Sequence, residues 1–336
     1  MKNIILSLIT IIVSINSIAQ NTFGVLVNTA GGKVNFENKI EIAKKLNVQY
    51  VRNAITVDKW EGEDKLYDAY QKAGFKMICN INYGRVAKFD AGRSPVPFPK
   101  DTVAYKKTLN EILDKYQPEV IVIENEELVP KYHIGSAQDY LNELTAAINV
   151  AHSKGLKITN GGLTNRELLL LVYNDLKNNG KTKEANEFAE LTMKGNILDA
   201  VKNPGSNPQI DELYRKADTL IKAYRNLPID FINIHIYEPI KPNQTKTDIT
   251  PNAIKMMTEF VVKTTGKPVM SNECGTRNNS PELVTAMLQE FLKNNFRYII
   301  WFSGDGEAGA VALNNLDGTL RPNGEAFKNF VAKYKQ

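Results

Sequence analysis

Eight short runs rich in β-branched residues, each followed by a helical pattern, set the tightest limit on how this chain folds. The runs occupy residues 23–28, 48–53, 75–82, the apolar start of 120–128, 156–160, 231–237, 268–273 and 298–302. Between and after them come helical patterns such as 64–73, 102–116, 140–152, 251–264, 281–294 and 324–334. In the second of these, Leu109, Ile112 and Leu113 are spaced for one buried face. Gly74, Gly155 and Gly266 stand where a helix stops before a strand. Eight strand–helix units predict a (β/α)8 TIM barrel of parallel strands. A doubly wound dinucleotide fold is excluded, because Ala30-Gly31-Gly32 lacks the glycine spacing that a phosphate loop needs. The segment 164–227 is roughly twice the usual connection length. It holds helical patterns at 167–176 and 184–193 and a Pro/Gly/Asn loop at 203–208. It reads as a helical insertion over one side of the barrel mouth, within a single catalytic domain spanning 20–336.

The start of the chain is separate. Lys2, an apolar run over 4–15 and the small-residue exit Ser17-Ile18-Ala19 describe a signal peptide, residues 1–19, cleaved after Ala19. The run falls short of the ~20 apolar residues that span a bilayer. The expectation is an exported protein, periplasmic or secreted, with no membrane association once the leader is gone. With 43% hydrophobic and 24% charged residues, the rest is ordinary globular sequence. The net charge of +5 is dispersed along the chain, so a nucleic-acid partner is not expected. Cys79 and Cys274 fall on opposite sides of such a barrel, too far apart for the ~7 Å approach of a disulfide, and are expected as free thiols. The three histidines have no i, i+4 pair and there is no cysteine cluster, so neither a metal nor another cofactor is expected.

Chemistry in such a barrel gathers at the C-terminal ends of the strands. Those ends carry Asn28, Arg52-Asn53, Asn80 and Asn82, Asn125-Glu126, Asn160, His235, Tyr237, Asn272-Glu273 and Trp301. Two acids, Glu126 on strand four and Glu273 on strand seven, face one mouth. Paired carboxylates suit glycosidic bond cleavage, one donating a proton while the other attacks or activates water. A single Glu after a strand is commonly a helix-start residue favoured by the helix dipole, and Glu127 is read that way. Two Asn-Glu pairs at strands four and seven go beyond that explanation.

On these residues the chain resembles clan A of the glycoside hydrolases, the retaining (β/α)8 enzymes, over essentially the whole barrel. The resemblance implies Glu126 as acid/base, Glu273 as nucleophile, and Asn125 as a hydrogen-bond partner of the sugar 2-hydroxyl. It also matches Arg52, His235, Tyr237 and Trp301 to positions that recur in the clan. Two departures stand out: Glu127 occupies the place where a Pro often follows the acid/base, and Glu124 a place more usually apolar or small. Arg52 and Tyr237 are the candidates for keeping Glu273 ionised. Trp301 is expected as an apolar floor for a sugar ring, or else as barrel packing; His235 is a substrate contact or a core histidine. Period-two alternation puts Glu124 on the side of Glu126, leaving it as either a tuner of Glu126 or the partner of Arg52. The expected partner is an oligosaccharide or polysaccharide, with oligomeric state open. A binding-only pseudoenzyme and a polysaccharide lyase or transglycosylase are the alternative readings.

Overall fold

The computed structural model describes residues 22–30, 35–84, 95–239, 248–306 and 310–334. The expected leader lies outside the described residues, as do Gly31 and Gly32. Eight parallel strands form the centre: β1 (Thr22–Val27), β2 (Tyr50–Thr56), β3 (Lys76–Asn82), β4 (Val120–Ile123), β5 (Lys157–Thr159), β6 (Ile232–Tyr237), β7 (Val269–Gly275) and β8 (Tyr298–Ser303). They are hydrogen-bonded in the order β5-β4-β3-β2-β1-β8-β7-β6. Parallel bridges from Thr159 to Phe231 and from Leu163 to Ile234 draw the two edges together into a nearly closed barrel. The eight strands and their order are those that the alternating pattern predicts.

Helices α1 (Phe36–Lys45), α2 (Lys65–Lys72), α3 (Thr102–Lys115) and α4 (Ala137–Ser153) follow the first four strands. Helix α4 starts earlier than its apolar spacing suggests, because Ser136 and Asp139 form a capping box there. Four helices connect β5 to β6: α5 (Asn165–Asn178), α6 (Thr182–Thr192), α7 (Asn196–Lys202) and α8 (Pro208–Tyr224). The pattern predicts the first two but neither α7 nor α8, which opens on Pro208 behind the Asn207 cap. Helix α8 packs against α4 and α9 (Ile249–Thr265); α10 (Pro281–Lys293) and α11 (Pro322–Tyr334) complete the chain. Among the described residues no helix is long and apolar enough to cross a membrane.

Two cores result. Inside the barrel, Tyr50, Ile78, Val120, Val122, Phe231, Met270, Tyr298 and Ile300 close the lower half. Gly24 is required at this level, since a Cβ there would lie 2.4 Å from Ile300 Cδ1 and 2.7 Å from the Tyr50 carbonyl. A larger apolar layer separates the strands from the helices. Trp301 belongs to that outer layer. It is fully buried against Phe327 of α11, with ring centroids 5.6 Å apart. On β8 the inward residues are Tyr298, Ile300 and Phe302, so alternation turns Trp301 outward. The expectation that Trp301 floors a sugar subsite is therefore corrected to its packing alternative. Cys79 and Cys274 are both free and buried, as expected.

Candidate active site

Above its apolar floor the barrel interior turns polar, and one side chain organises the change. Arg52, 6% exposed, gives Nε to Asn80 Oδ1 at 2.8 Å and Nη1 to the Asn272 carbonyl at 3.2 Å and to Glu273. Its Nη2 donates to Asn125 Oδ1. The expected ion pair with Glu273 is present, and Glu124 is not among the partners of Arg52. The Tyr237 hydroxyl donates to the other Glu273 oxygen at 2.9 Å. Burial works against a charged Glu273, but Arg52, His235 and the Tyr237 hydroxyl together hold its carboxyl below the usual carboxylate range.

His235 stands between the acids. Its Nδ1 lies 3.3 Å from Glu126 Oε1 and its Nε2 2.7 Å from Asn272 Oδ1. Burial disfavours the imidazolium, but Glu273 and Glu126 outweigh it and raise the His235 pKa. Glu126, Glu273 and His235 each place a polar atom so that all three lie within 4.8 Å of one another. Among the described residues this is the one acidic and histidine grouping compact enough for a metal ion. Each of the three residues already has a protein partner, and the guanidinium on Glu273 repels a second cation.

The turn after β4 departs from a regular strand. Glu124 and Glu126 have φ of +67° and +51°. Such left-handed geometry at residues other than glycine costs about 1–3 kcal/mol each and clusters at functional sites. The break in alternation redirects three acids. Glu126 reaches His235. Glu124 turns toward α3 and α4, where its carboxyl accepts the Tyr83 N–H and meets Glu143, itself beside Tyr105. It is thus neither the partner of Arg52 nor placed against Glu126. Glu127 is no helix-start acid: 2% exposed, it accepts from Asn160 Nδ2 at 3.0 Å and the Tyr224 hydroxyl of α8 at 2.6 Å. His133, stacked on Phe98, gives its Nε2 proton to the Asn125 carbonyl at 2.9 Å and steadies the turn from above.

Sequence reading overlooked Gly161 and Gly162, although two adjacent glycines after a strand end are a visible signal. The Gly161 carbonyl accepts the Glu126 N–H at 3.4 Å. Gly162 has φ +121°, and a Cβ there would lie 2.3 Å from His235 Nε2. Replacing Gly162 by Ala is expected to push His235 off Glu126 and to cost about 1–3 kcal/mol through backbone strain alone. Loss of turnover with a lowered Tm checks this; a variant as active and as stable as the parent would refute it.

Two other side chains have structural partners. Asp305 is bound by Arg321 at 2.8 and 2.7 Å and accepts the Ala312 N–H, so it braces its loop. Trp60 packs edge-on against Tyr116.

Buried acids give the protein a distinctive pH response. Burial raises Glu124, Glu167 and Glu238 to about 7 and, with Glu124 beside it, pushes Glu143 well above the usual carboxylate range. A carboxyl raised on folding stabilises fully below its unfolded pKa of about 4.3 and loses that contribution as pH rises through the folded value. Tm is therefore expected to fall as pH rises from about 4.5 to above 7. Glu143→Gln, which replaces one of two abutting acids with an amide donor, is expected to flatten this slope. An unchanged slope in thermal melts would refute the assignment.

The chain matches no protein-family model and no curated protein by sequence. Solved structures do resemble it. A family 39 glycoside hydrolase from Bacteroides cellulosilyticus WH2 aligns with a TM-score of 0.54 at 13% identity, covering 94% of this chain and 64% of that one. A family 5 xyloglucanase from Paenibacillus pabuli aligns at 0.52 and 13% identity, covering 95% and 99%. A broad-specificity family 5 endoglucanase from an uncultured bacterium gives 0.54 at 11% identity, covering 95% of each chain. At such identities the likeness is one of fold. The structures it resembles are clan A (β/α)8 glycosidases, and the chain has their barrel.

Proposed function

We propose that this protein is an exported glycoside hydrolase that cleaves its substrate by a retaining double displacement, with Glu273 as nucleophile and Glu126 as acid/base. The observation that carries the reading is the contrast between two carboxylates whose oxygens lie within 4.8 Å. Glu273 is held ionised by a guanidinium and a phenol, whereas Glu126 bonds to a histidine. Retaining enzymes keep their carboxyls about 5–5.5 Å apart, while inverting ones need roughly 6.5–9.5 Å to admit a water. Glu273 attacks the anomeric carbon and forms a glycosyl ester as Glu126 protonates the leaving oxygen. Glu126 then takes a proton from water, which attacks the ester and releases Glu273 as carboxylate. With Asn125 Oδ1 occupied by Arg52, Asn125 Nδ2 is the donor offered to the sugar 2-hydroxyl.

The test is hydrolysis of an oligosaccharide and polysaccharide panel, with the first-formed product anomer read by proton NMR. Retention of configuration is expected. An inverted product would sink the mechanism, an unsaturated sugar would mean a lyase, and a new glycosidic bond a transglycosylase. Tight glycan binding with no turnover would mean a pseudoenzyme. Export, proposed from the leader at 1–19, is checked by finding Gln20 as the N-terminus of the secreted or periplasmic protein.

A further inference from the structure

A buried chain of amides runs from Arg52 to His235, and its bonding leaves only one arrangement of protons. Arg52 Nε can only donate, so Asn80 Oδ1 is the acceptor at 2.8 Å, and Asn80 Nδ2 donates to the Glu124 carbonyl at 2.8 Å. Asn272 Nδ2 donates to the same Asn80 Oδ1 at 2.8 Å, which turns Asn272 Oδ1 toward His235. A second route agrees. The Asn272 backbone N–H donates to Asn233 Oδ1 at 2.9 Å, so Asn233 Nδ2 donates to Asn272 Oδ1 at 2.7 Å. Asn80, Asn233 and Asn272 are each wholly buried, and the fixed donors and acceptors around them set which way each amide faces. Asn272 Oδ1 thus only accepts, and His235 Nε2 must carry a proton to bond it.

We infer that this amide relay locks His235 as the Nε2–H tautomer, so that His235 Nδ1 and Glu126 hold a single proton between them and His235 acts as the positioning residue for that proton. Resting on the glycosidase reading, the inference assigns what stores the proton that Glu126 delivers. With Nε2 already protonated, neutral His235 turns a bare Nδ1 lone pair toward Glu126 Oε1. A carboxylate facing that lone pair is repelled, so the pair keeps one proton, as Glu126 acid beside imidazole or as carboxylate beside imidazolium. When Glu126 protonates the leaving oxygen, the pair becomes proton-free; when it takes a proton from water, the pair is restored. Arg52 thereby governs both acids, Glu273 by direct contact and Glu126 through the amides of Asn80 and Asn272 and the His235 ring. The other groups facing His235 are Glu273 and Arg52 across the pocket and Glu127 behind. Glu167 and His133 act on Glu126 from α5 and from the loop after β4.

The test is nitrogen-15 NMR of histidine-labelled full-length protein, where the signal lost in His235→Gln identifies His235. The wild type is expected to show Nε2–H at every pH, with Nδ1 changing at one midpoint that also sets the alkaline limb of kcat/KM. In Glu126→Gln the tautomer is expected to persist while the His235 midpoint falls by on the order of one pH unit or more. An Nδ1–H tautomer in wild type, or a midpoint that Glu126→Gln leaves in place, would overturn the inference. Neither NMR result needs a substrate. A protein that passes both yet hydrolyses no glycan would refute the glycosidase reading and leave the shared proton standing.

Discussion

Glu273→Gln is expected to bind glycan as well as the parent while losing turnover by on the order of ten-thousandfold or more, the scale of removing a covalent residue in a hydrolase. The amide keeps its place beside Arg52 and Tyr237 but cannot form the glycosyl ester. Removing Glu126 acts differently. Glu126→Ala is expected to be nearly inactive on glycosides with poor leaving groups. On activated aryl glycosides, whose first step needs no acid, the loss is far smaller. Added azide should then speed the reaction by attacking the glycosyl ester without a base and give a glycosyl azide of retained configuration. For Glu273→Ala, azide entering directly should give the inverted glycosyl azide. If both variants lose activity equally on every leaving group, or azide gives one configuration for both, the roles assigned to the two acids are wrong.

Arg52→Met is the change expected to cost most stability. A buried charge stripped of its partner destabilises by about 3–5 kcal/mol, and Arg52 and Glu273 are only 6% and 14% exposed. The substitution also unpairs Asn80 and Asn125. In the wild type the depressed carboxyl of Glu273 stabilises the fold above its unfolded pKa of about 4.3, and that contribution disappears as pH falls through the folded value. The acid limb of kcat/KM is accordingly expected below about 4.3, and Arg52→Met should move it upward. Combining Arg52→Met with Glu273→Gln should recover part of the lost stability, because no uncompensated charge remains; strictly additive losses in chemical denaturation would refute the pairing. Arg52→Lys is expected to rescue little, since an ammonium cannot serve four acceptors set out for a planar fork.

Much of this site can be read from the chain because strand ends are local events. Apolar runs bounded by Gly, Pro and Asn fix where each strand stops, and in a parallel barrel every stop faces the same mouth. That alone brings Arg52, Asn125, Glu126, His235, Tyr237 and Glu273 together, and the structure does group them. Side-chain direction is another matter. Strands buried on both faces are apolar on both, so nothing local distinguishes the inside of β8 from the outside. Trp301 for that reason faces the helices, while its neighbour Phe302 faces the barrel interior.

The number and order of the strands, the strand end that each candidate residue occupies, and the meeting of two acids are all legible in the chain. Those features follow from chain-local periodicity and from the parallel geometry it implies. Where Glu124, Glu127 and Trp301 point, that Gly162 must be bare for His235, and which nitrogen of His235 carries a proton emerge only once the chain is folded. For the acids this is because left-handed φ at Glu124 and Glu126 breaks the period-two rule. The bonding of the interior amides, in turn, depends on partners up to 192 residues apart in the chain, as between Asn80 and Asn272.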